Sequence, residues 1–367
     1  MHILVTSDTS GGVWTYTREL VSGLSKRGVR VTLVSLGEIP SAEQSAWIHD
    51  LEDVDFRPTA FRLEWMRDSE DDLKACTDML QSVIGEDEPD LLHFNHFYFG
   101  SLKTTIPKMV VAHSDVLSWW QSVHHAEPKE ESWIRWYRMI VGEGLTQATA
   151  VVAPSQWMLE RLQELYARPK LASVIYNGRT PTLFDPYVTK DLSAASAGRI
   201  WDFGKNSALL SKIESPIPVY LAGPDQTPEH PSNYHVFQPR QRLHLKGIQT
   251  EKQLRTLFAK ASIYIATSQY EPFGMAPVEA ALSRCAILAS DIPTYRELWG
   301  DNACYFRNND AESLQERLKE LSADRDLCAT YGKLAYYHAM SRYTANRMVE
   351  DYLHLYHALV PAGVMAA

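Results

Sequence analysis

The sequence predicts an α/β protein built from two successive doubly wound domains facing a central cleft. Three observations carry that prediction: a length of 367 residues, short Val- and Ile-rich runs that alternate with helical patterns, and a pause in this rhythm near the middle of the chain. Single cores stop growing at roughly 250–300 residues, so a chain of this length divides. Apolar runs bounded by turn residues and separated by helical stretches read as parallel strands.

In the first half the runs are HILVTS (2–7), VRVTLVS (29–35), DLLHF (90–94), KMVVAHS (108–114), AVVAPS (150–155) and SVIYNG (173–178). The rhythm pauses at VIYNGRTPTLFDP, whose Gly, Pro and Thr mark a linker, which gives a first domain over 1–178 and a second over 179–343. The second series is ASAGR (195–199), PVYLAG (218–223), YHVFQ (234–238), LHLKG (243–247), SIYIATS (262–268), CAILASD (285–291) and ACYF (303–306). The tail, 344–367, is helical in period through NRMVEDYLHLYHALV and is expected to pack back on the first domain. Folds of this class bind ligands outside the carboxyl ends of their strands.

Composition narrows the partners. Apolar residues are 45% and charged residues 22% of the chain, the ordinary proportions of a globular protein. The formal net charge of −9 comes with no basic stripe, which argues against a nucleic-acid partner. Cys76, Cys285, Cys304 and Cys328 have no CxxC spacing, so reduced thiols are expected rather than a zinc site or disulfide framework. No basic segment precedes the first apolar run, and ~18 apolar residues never follow one another, so neither a signal peptide nor a membrane span is expected. A cytoplasmic location follows as the expectation, with peripheral contact at the inner face of a membrane left open.

Gly11-Gly12 follows the first strand and precedes a helix expected to start near Val13 or Trp14. Backbone N–H groups there would be open to an anion or a sugar. The stretch lacks the GxGxxG spacing, so a dinucleotide site is not indicated. On this segment alone, the need of any tight turn for glycine explains the pair equally well.

The stretch SQYEPFGMAPVEAALSRCAILASD carries Glu271 and Glu279 eight residues apart. Pro277 suits a first helical position, which would put Glu271 at a strand end and Glu279 near the first helical turn. A carboxylate so placed accepts hydrogen bonds from vicinal hydroxyls of a ribose or hexose, while the amides of Phe273, Gly274 and Met275 can meet a diphosphate. Taken alone, acidic residues near a positive helix end are explained by stability. In AGRIWDFGKN, Arg199 follows a strand and Lys205 lies six residues later. Two such cations would clamp a diphosphate and neutralise charge growing on it.

Together, Arg199 and Lys205, YEPFGMAPVEA and SDIPTYRELWGDNACYF resemble glycosyltransferase family 4, the retaining nucleotide-sugar transferases of GT-B architecture with two Rossmann-like domains. SGGVWTYTREL, PDLLHFNH, VVAHSDVLSWW, VVAPSQWM and VIYNG fall in the family's order, and the E-x7-E pattern with EPFG is the most specific part. The resemblance implies that Glu279 holds the ribose hydroxyls and Glu271 contacts the donor sugar. It implies that Arg199 and Lys205 bind the diphosphate, that Gly11 and Gly12 let backbone approach donor or acceptor, and that His113 sits beside the donor sugar. The family's Gly-x-Pro after the E-x7-E helix is replaced here by Arg284-Cys285-Ala286, which touches no proposed ligand-binding side chain.

The implied reaction moves a hexose from a nucleotide diphosphate sugar to a small-molecule, glycan or lipid-linked hydroxyl acceptor, with retention, no metal and no cofactor beyond the donor. The one DxD, Asp53-Val54-Asp55, is expected in an acidic loop away from this chemistry. His93 and His96 in HFNH have no third metal partner in view and are expected to pack near the cleft. His113-Ser114-Asp115 cannot converge as a hydrolytic relay, since the three are consecutive. SWWQSVHHAEPKEESWIRWYRMI gathers Trp119, Trp120, Trp133, Trp136 and Tyr137, expected mainly in the first core, with acceptor stacking or a membrane interface as alternatives. A nucleotide-sugar 2-epimerase and a non-catalytic nucleotide-sugar sensor remain as rival classes.

Overall fold

The computed structural model describes residues 1–9, 11–226 and 241–360; the expected strand YHVFQ lies outside them. These residues divide into two compact units, one of 1–121, 126–178 and 345 onward, the other of 122–125 and 179–344. Each is built on one parallel sheet.

In the first unit the strands are β1 (His2–Asp8), β2 (Arg30–Leu36), β3 (Val54–Pro58), β4 (Leu91–Phe94), β5 (Lys108–Val111), β6 (Ala150–Ala153) and β7 (Ala172–Val174), in the order β3-β2-β1-β4-β5-β6-β7. Every pairing is parallel; Val5, for example, stands opposite Leu33 and His93. Successive side chains of a strand point to opposite faces. Leu4, Val34, Leu92, Val110 and Val151 accordingly enter one apolar layer, and Ile3, Val5, Val31, Leu33, Leu91, Met109, Val111 and Val152 enter the other. A sheet covered on both faces needs apolar residues at every position, which is why these strands read as unbroken runs.

The strand β3 corrects the expectation of an acidic loop at Asp53-Val54-Asp55. It is an edge strand paired to β2 alone, and its solvent side carries an Asp55–Arg57 ion pair at 2.8 Å. An edge strand exposed in this way has a polar composition that periodicity does not flag.

The C-terminal helix Ala345–Leu359 belongs to the first unit. Its Met348, Val349, Tyr352 and Tyr356 share one apolar layer with Tyr16, Leu20, Val21 and Leu24 of the helix Gly11–Ser25. Arg27 ties the edge of this contact to Glu350 at 2.6 Å and to Asn346 at 2.7 Å.

The second unit holds β8 (Asp191–Ala197), β9 (Val219–Ala222), β10 (Leu243–Gly247), β11 (Ala261–Ala266), β12 (Ala286–Ser290) and β13 (Cys304–Phe306), ordered β10-β9-β8-β11-β12-β13. Both sheets thus reverse their winding once, between β1 and β4 and between β8 and β11. Ligands of open α/β sheets settle outside the carboxyl ends of the strands at such a reversal. All four cysteines are buried free thiols, and among the described residues no helix is long and apolar enough to cross a membrane.

Candidate active site

In the second unit the reversal is bordered by the loop after β8 and the loop after β11. Arg199 leaves the end of β8 with its guanidinium half exposed, 2.8 Å from Asp202 Oδ2 and over the Trp201 ring. Asp202 is buried and its other oxygen accepts the Gly204 N–H at 2.8 Å, which folds the loop tightly. Lys205 Nζ reaches across to Glu271 Oε2 at 2.5 Å. The two loops are stitched by backbone as well: Gln269 N–H donates to Gly204 O at 2.8 Å, and Thr267 Oγ1–H donates to Lys205 O at 2.8 Å.

Glu271 itself is buried and also accepts from Ser268 Oγ at 3.2 Å. Tyr295 lies within its field: burial and then the Glu271 charge push that phenol well above its ordinary range, so it stays protonated. The expectation that Glu271 lies at a strand end is corrected, because β11 stops at Ala266 and Glu271 stands in the following loop. The helix Met275–Leu282 begins two residues earlier than Pro277 would have it, and Glu279 is its fifth residue. Gly274 is the reason. It caps the helix at φ +92°, a left-handed geometry natural only to glycine, and a Cβ there would sit 3.2 Å from Glu271 Cγ. Phe273 is buried edge-on to Tyr343, with ring centroids 5.4 Å apart, while Met275 is half-buried.

Glu279 is held from below by a residue that sequence reasoning passed over. Arg179, fully buried, places Nε 2.9 Å from Glu279 Oε1 and Nη2 2.5 Å from Glu251 Oε1, with its guanidinium over the Phe184 ring. It lies in the linker VIYNGRTPTLFDP with no local mark of burial, and Glu251 has a local explanation as the acidic residue in the first turn of its own helix. Only the tertiary fold joins the three.

In the first unit the helix after β1 starts at Gly11, two to three residues earlier than expected, with Gly11 at φ +64°. Gly12 follows within the helix. His113 emerges just past β5, with its ring edge-on to Tyr16 at 4.5 Å and Nε2 2.9 Å from Asn95 Oδ1. Asn95 Nδ2 donates to Thr6 O at 2.7 Å, which fixes Oδ1 as the acceptor and His113 Nε2 as the protonated nitrogen. Burial, with His93 and His96 nearby, pushes the His113 pKa down to about 3. The imidazole is neutral, with its lone pair on Nδ1, able to accept a hydrogen bond from a hydroxyl.

His93 and His96 are packed as expected. His93 Nδ1 lies 2.6 Å from the Tyr356 hydroxyl, and His96 Nδ1 lies 2.9 Å from Thr6 Oγ1. Burial holds both near a pKa of about 3. Among the described residues no group of three or more His, Cys, Asp or Glu is poised to hold a metal. Of the aromatic cluster, Tyr137 is core, whereas Trp119, Trp120, Trp133 and Trp136 are only partly covered.

Two doubly wound units, each with polar and charged groups gathered at its winding reversal, define a GT-B architecture. Residues 10–182 match the family described as Glycosyltransferase Family 4, and residues 210–338 match Glycosyl transferases group 1. The chain belongs to glycosyltransferase family 4. It is 28% identical over 109 residues to the lipopolysaccharide core biosynthesis mannosyltransferase LpcC of Rhizobium leguminosarum bv. viciae, a match over 29% of this chain and 31% of that protein. The chain therefore aligns with about a third of that relative's length. Two solved structures share the fold along nearly the whole chain. Sucrose-phosphate synthase from Thermosynechococcus elongatus superposes with a TM-score of 0.79 at 16% identity, over 98% of this chain and 99% of that one. Anabaena Alr3699/HepE in complex with UDP and glucose gives 0.76 at 17% identity, over 98% and 100%. At such identities the likeness is one of fold.

Proposed function

We propose that this chain is a retaining, metal-independent glycosyltransferase that moves a hexose from a nucleotide diphosphate sugar to a hydroxyl acceptor in glycan, polysaccharide or glycoconjugate biosynthesis. The observation that carries the reading is the Lys205–Glu271 pair at the winding reversal of the second unit, with Arg199 on the same loop. A cation and a carboxylate already oriented there match the two ends of a sugar diphosphate, the anionic phosphates and the hydroxyl-rich ring. That HepE was solved with UDP and glucose, and that LpcC is described as a mannosyltransferase, agree with such a donor.

In this reading the diphosphate competes with Glu271 for Lys205. As Lys205 turns to the phosphates, Glu271 is released to accept hydrogen bonds from the sugar hydroxyls, so donor binding itself completes the site. Glu279 takes the ribose hydroxyls, fixed by Arg179. The bond between the anomeric carbon and the β-phosphate oxygen breaks. The acceptor oxygen joins that carbon on the same face, and the acceptor's proton passes to the departing phosphate oxygen. Arg199 and Lys205 neutralise the charge growing on that phosphate, and removal of either should raise the barrier by about 3 kcal/mol.

The test is a thermal-shift panel of UDP, GDP, ADP and TDP in EDTA on wild type and Glu279→Ala, followed by NMR of the sugar product. Ligand at a hundred times its Kd should stabilise the wild type by about 2.7 kcal/mol. Absence of a shift with all four nucleotides, even after magnesium is restored, sinks the reading; an inverted anomer sinks its stereochemistry. A changed sugar formed without acceptor would identify the epimerase instead.

A further inference from the structure

The helix Arg325–Arg342 of the second unit is amphipathic in reverse. The face it buries is made of small residues, Cys328, Gly332, Ala335 and Ala339. Gly332 shows why: a Cβ there would sit 2.7 Å from Arg284 O, so the helix lies close against the turn before β12. The large apolar side chains point the other way, and Leu334, Tyr337 and Met340 are 42%, 62% and 37% exposed. A surface helix ordinarily directs such residues into the core and leaves polar ones outside. So exposed, they add little to the stability of the unit.

The patch continues sideways through a ladder of rings. Tyr337 meets Tyr336 edge-on, with centroids 5.4 Å apart. The Arg284 guanidinium lies 5.4 Å from the Tyr336 centroid and 5.8 Å from that of Tyr187, and Tyr187 is 81% exposed. Apolar residues scattered singly over a surface are ordinary, whereas a contiguous patch marks a place of interaction.

The charges say what kind of partner fits. After Asp326 the helix carries Lys333 and Arg342 and no Asp or Glu, in a chain that has 45 acidic residues against 36 Lys and Arg. Arg284 adds a third cation, while Asp185, which accepts the Tyr187 N–H at 2.9 Å, borders the far end. Lys333 is exposed and forms no ion pair among the described residues. A tyrosine with its polar tip, and a long basic side chain with an apolar stem and charged head, both suit the level of lipid headgroups. Leucine and methionine between them reach the acyl boundary. A second copy docked by the same face would bring Lys333 toward its own counterpart, with no carboxylate of this segment to offset the repulsion. The formal net charge of −9 repels the chain as a whole from anionic lipid, so a local face of this kind also fixes the orientation of approach.

We propose that the solvent side of this helix, with Tyr187, Tyr336 and Arg284 beside it, docks the protein on an anionic lipid bilayer. The docking surface does not rest on the transferase reading. The experiment is flotation of the full chain with vesicles of phosphatidylcholine alone and of phosphatidylcholine mixed equally with phosphatidylglycerol. Wild type should float with the mixed vesicles and stay behind with phosphatidylcholine. Partitioning should weaken severalfold between about 0.05 and 0.5 M NaCl as the charges are screened. Lys333→Ala should weaken it about fivefold and Lys333→Glu about 25-fold, as one cation near an anionic surface is lost or reversed. The pair Tyr337→Ser with Met340→Ser should weaken it at least about tenfold through lost apolar contact. All three side chains are exposed, so these variants should keep the wild-type thermal midpoint within a few degrees. No flotation with the mixed vesicles, equal flotation with both kinds, or flotation untouched by the variants overturns the proposal. Sedimentation without vesicles tests the rival occupant: a concentration-dependent dimer that the Tyr337 and Met340 changes abolish assigns the face to a second copy and overturns it as well. The nucleotide thermal shift, which none of these substitutions should alter, reports on the transferase reading alone.

Discussion

Arg179 Nε stands 2.9 Å from Glu279 Oε1 beneath the helix Met275–Leu282, and no part of the arginine is exposed. A buried guanidinium fork that also grips Glu251 leaves the Glu279 carboxylate little freedom to turn. Arg179→Met strips a buried charge of its partner and should destabilise the second unit by about 3–5 kcal/mol in urea unfolding. Adding Glu279→Gln should restore much of that stability, because no lone charge then stays buried. It should not restore nucleotide affinity measured by calorimetry. A double variant that binds nucleotide like wild type would show that the pair serves stability alone.

The Lys205–Glu271 pair predicts opposite effects of Glu271→Gln on binding and on turnover. Freed of its carboxylate partner 2.5 Å away, Lys205 becomes fully available to phosphate. The nucleoside diphosphate should then bind about tenfold tighter, the ~1.4 kcal/mol of one charge-assisted contact no longer contested. Turnover should fall by about 100-fold or more, since the proposed contact of Glu271 with the sugar is weakened. Lys205→Met should weaken binding instead. If both substitutions weaken nucleotide binding alike, the exchange of partners on donor arrival is wrong.

His113 is expected to remain neutral across the working range, because burial holds its pKa near about 3. Its imidazole resonances should be flat between about pH 5 and 9, where an unperturbed histidine titrates near 6.5. Any limb in the pH–rate profile near neutrality must therefore come from another group. A His113 midpoint between 6 and 7 in NMR titration would contradict the geometry with Asn95 and Tyr16.

Much of the fold was legible because strands covered on both faces leave an unbroken apolar signature, as in HILVTS and CAILASD. The edge strand β3 was not, since Asp55 and Arg57 face solvent and give it a loop's composition. Helix starts were misplaced by two to three residues at Gly11 and by two at Met275. In each case a glycine at positive φ opens the helix, and backbone conformation of that kind is invisible to periodicity. Residue types suited to the chemistry could be picked out at Glu271 and Lys205, but their contact spans 66 positions of sequence. Arg179 was hidden more deeply: a lone arginine in a linker carries no local mark of full burial.

Glu64 makes the first unit sensitive to pH. Its carboxylate is buried, accepts the Phe97 and Tyr98 amides at 2.9 and 2.7 Å, and is pushed by desolvation up to about 7. A carboxyl whose folded pKa exceeds its unfolded value near 4.5 favours the native state when protonated. Its contribution is therefore fully present below about pH 4.5, is lost as pH rises through 7, and is flat above. At about 1.4 kcal/mol per unit the loss is on the order of 3.5 kcal/mol. Glu64→Gln removes this dependence. Whatever offset follows from losing one acceptor oxygen, the stability of Glu64→Gln relative to wild type should rise between pH 5 and 8. A constant difference would mean that Glu64 titrates in the ordinary carboxylate range.

Arg284 occupies the position where the family pattern places glycine, and it does so at φ +63°. A side chain in the left-handed region costs about 1 kcal/mol. Arg284 offsets that cost by laying its guanidinium 5.8 Å from the Tyr187 ring centroid and 5.4 Å from that of Tyr336, contacts worth roughly 0.5–1 kcal/mol each at exposed sites. Strain and stacking should then nearly cancel. Arg284→Ala keeps the strain and loses the stacking, so it should be the least stable of the three forms. Arg284→Gly loses both and should recover about 1 kcal/mol over alanine, close to wild type. Equal urea midpoints for the alanine and glycine variants would show that the turn has relaxed out of the left-handed conformation, and that the arginine is not what holds it there.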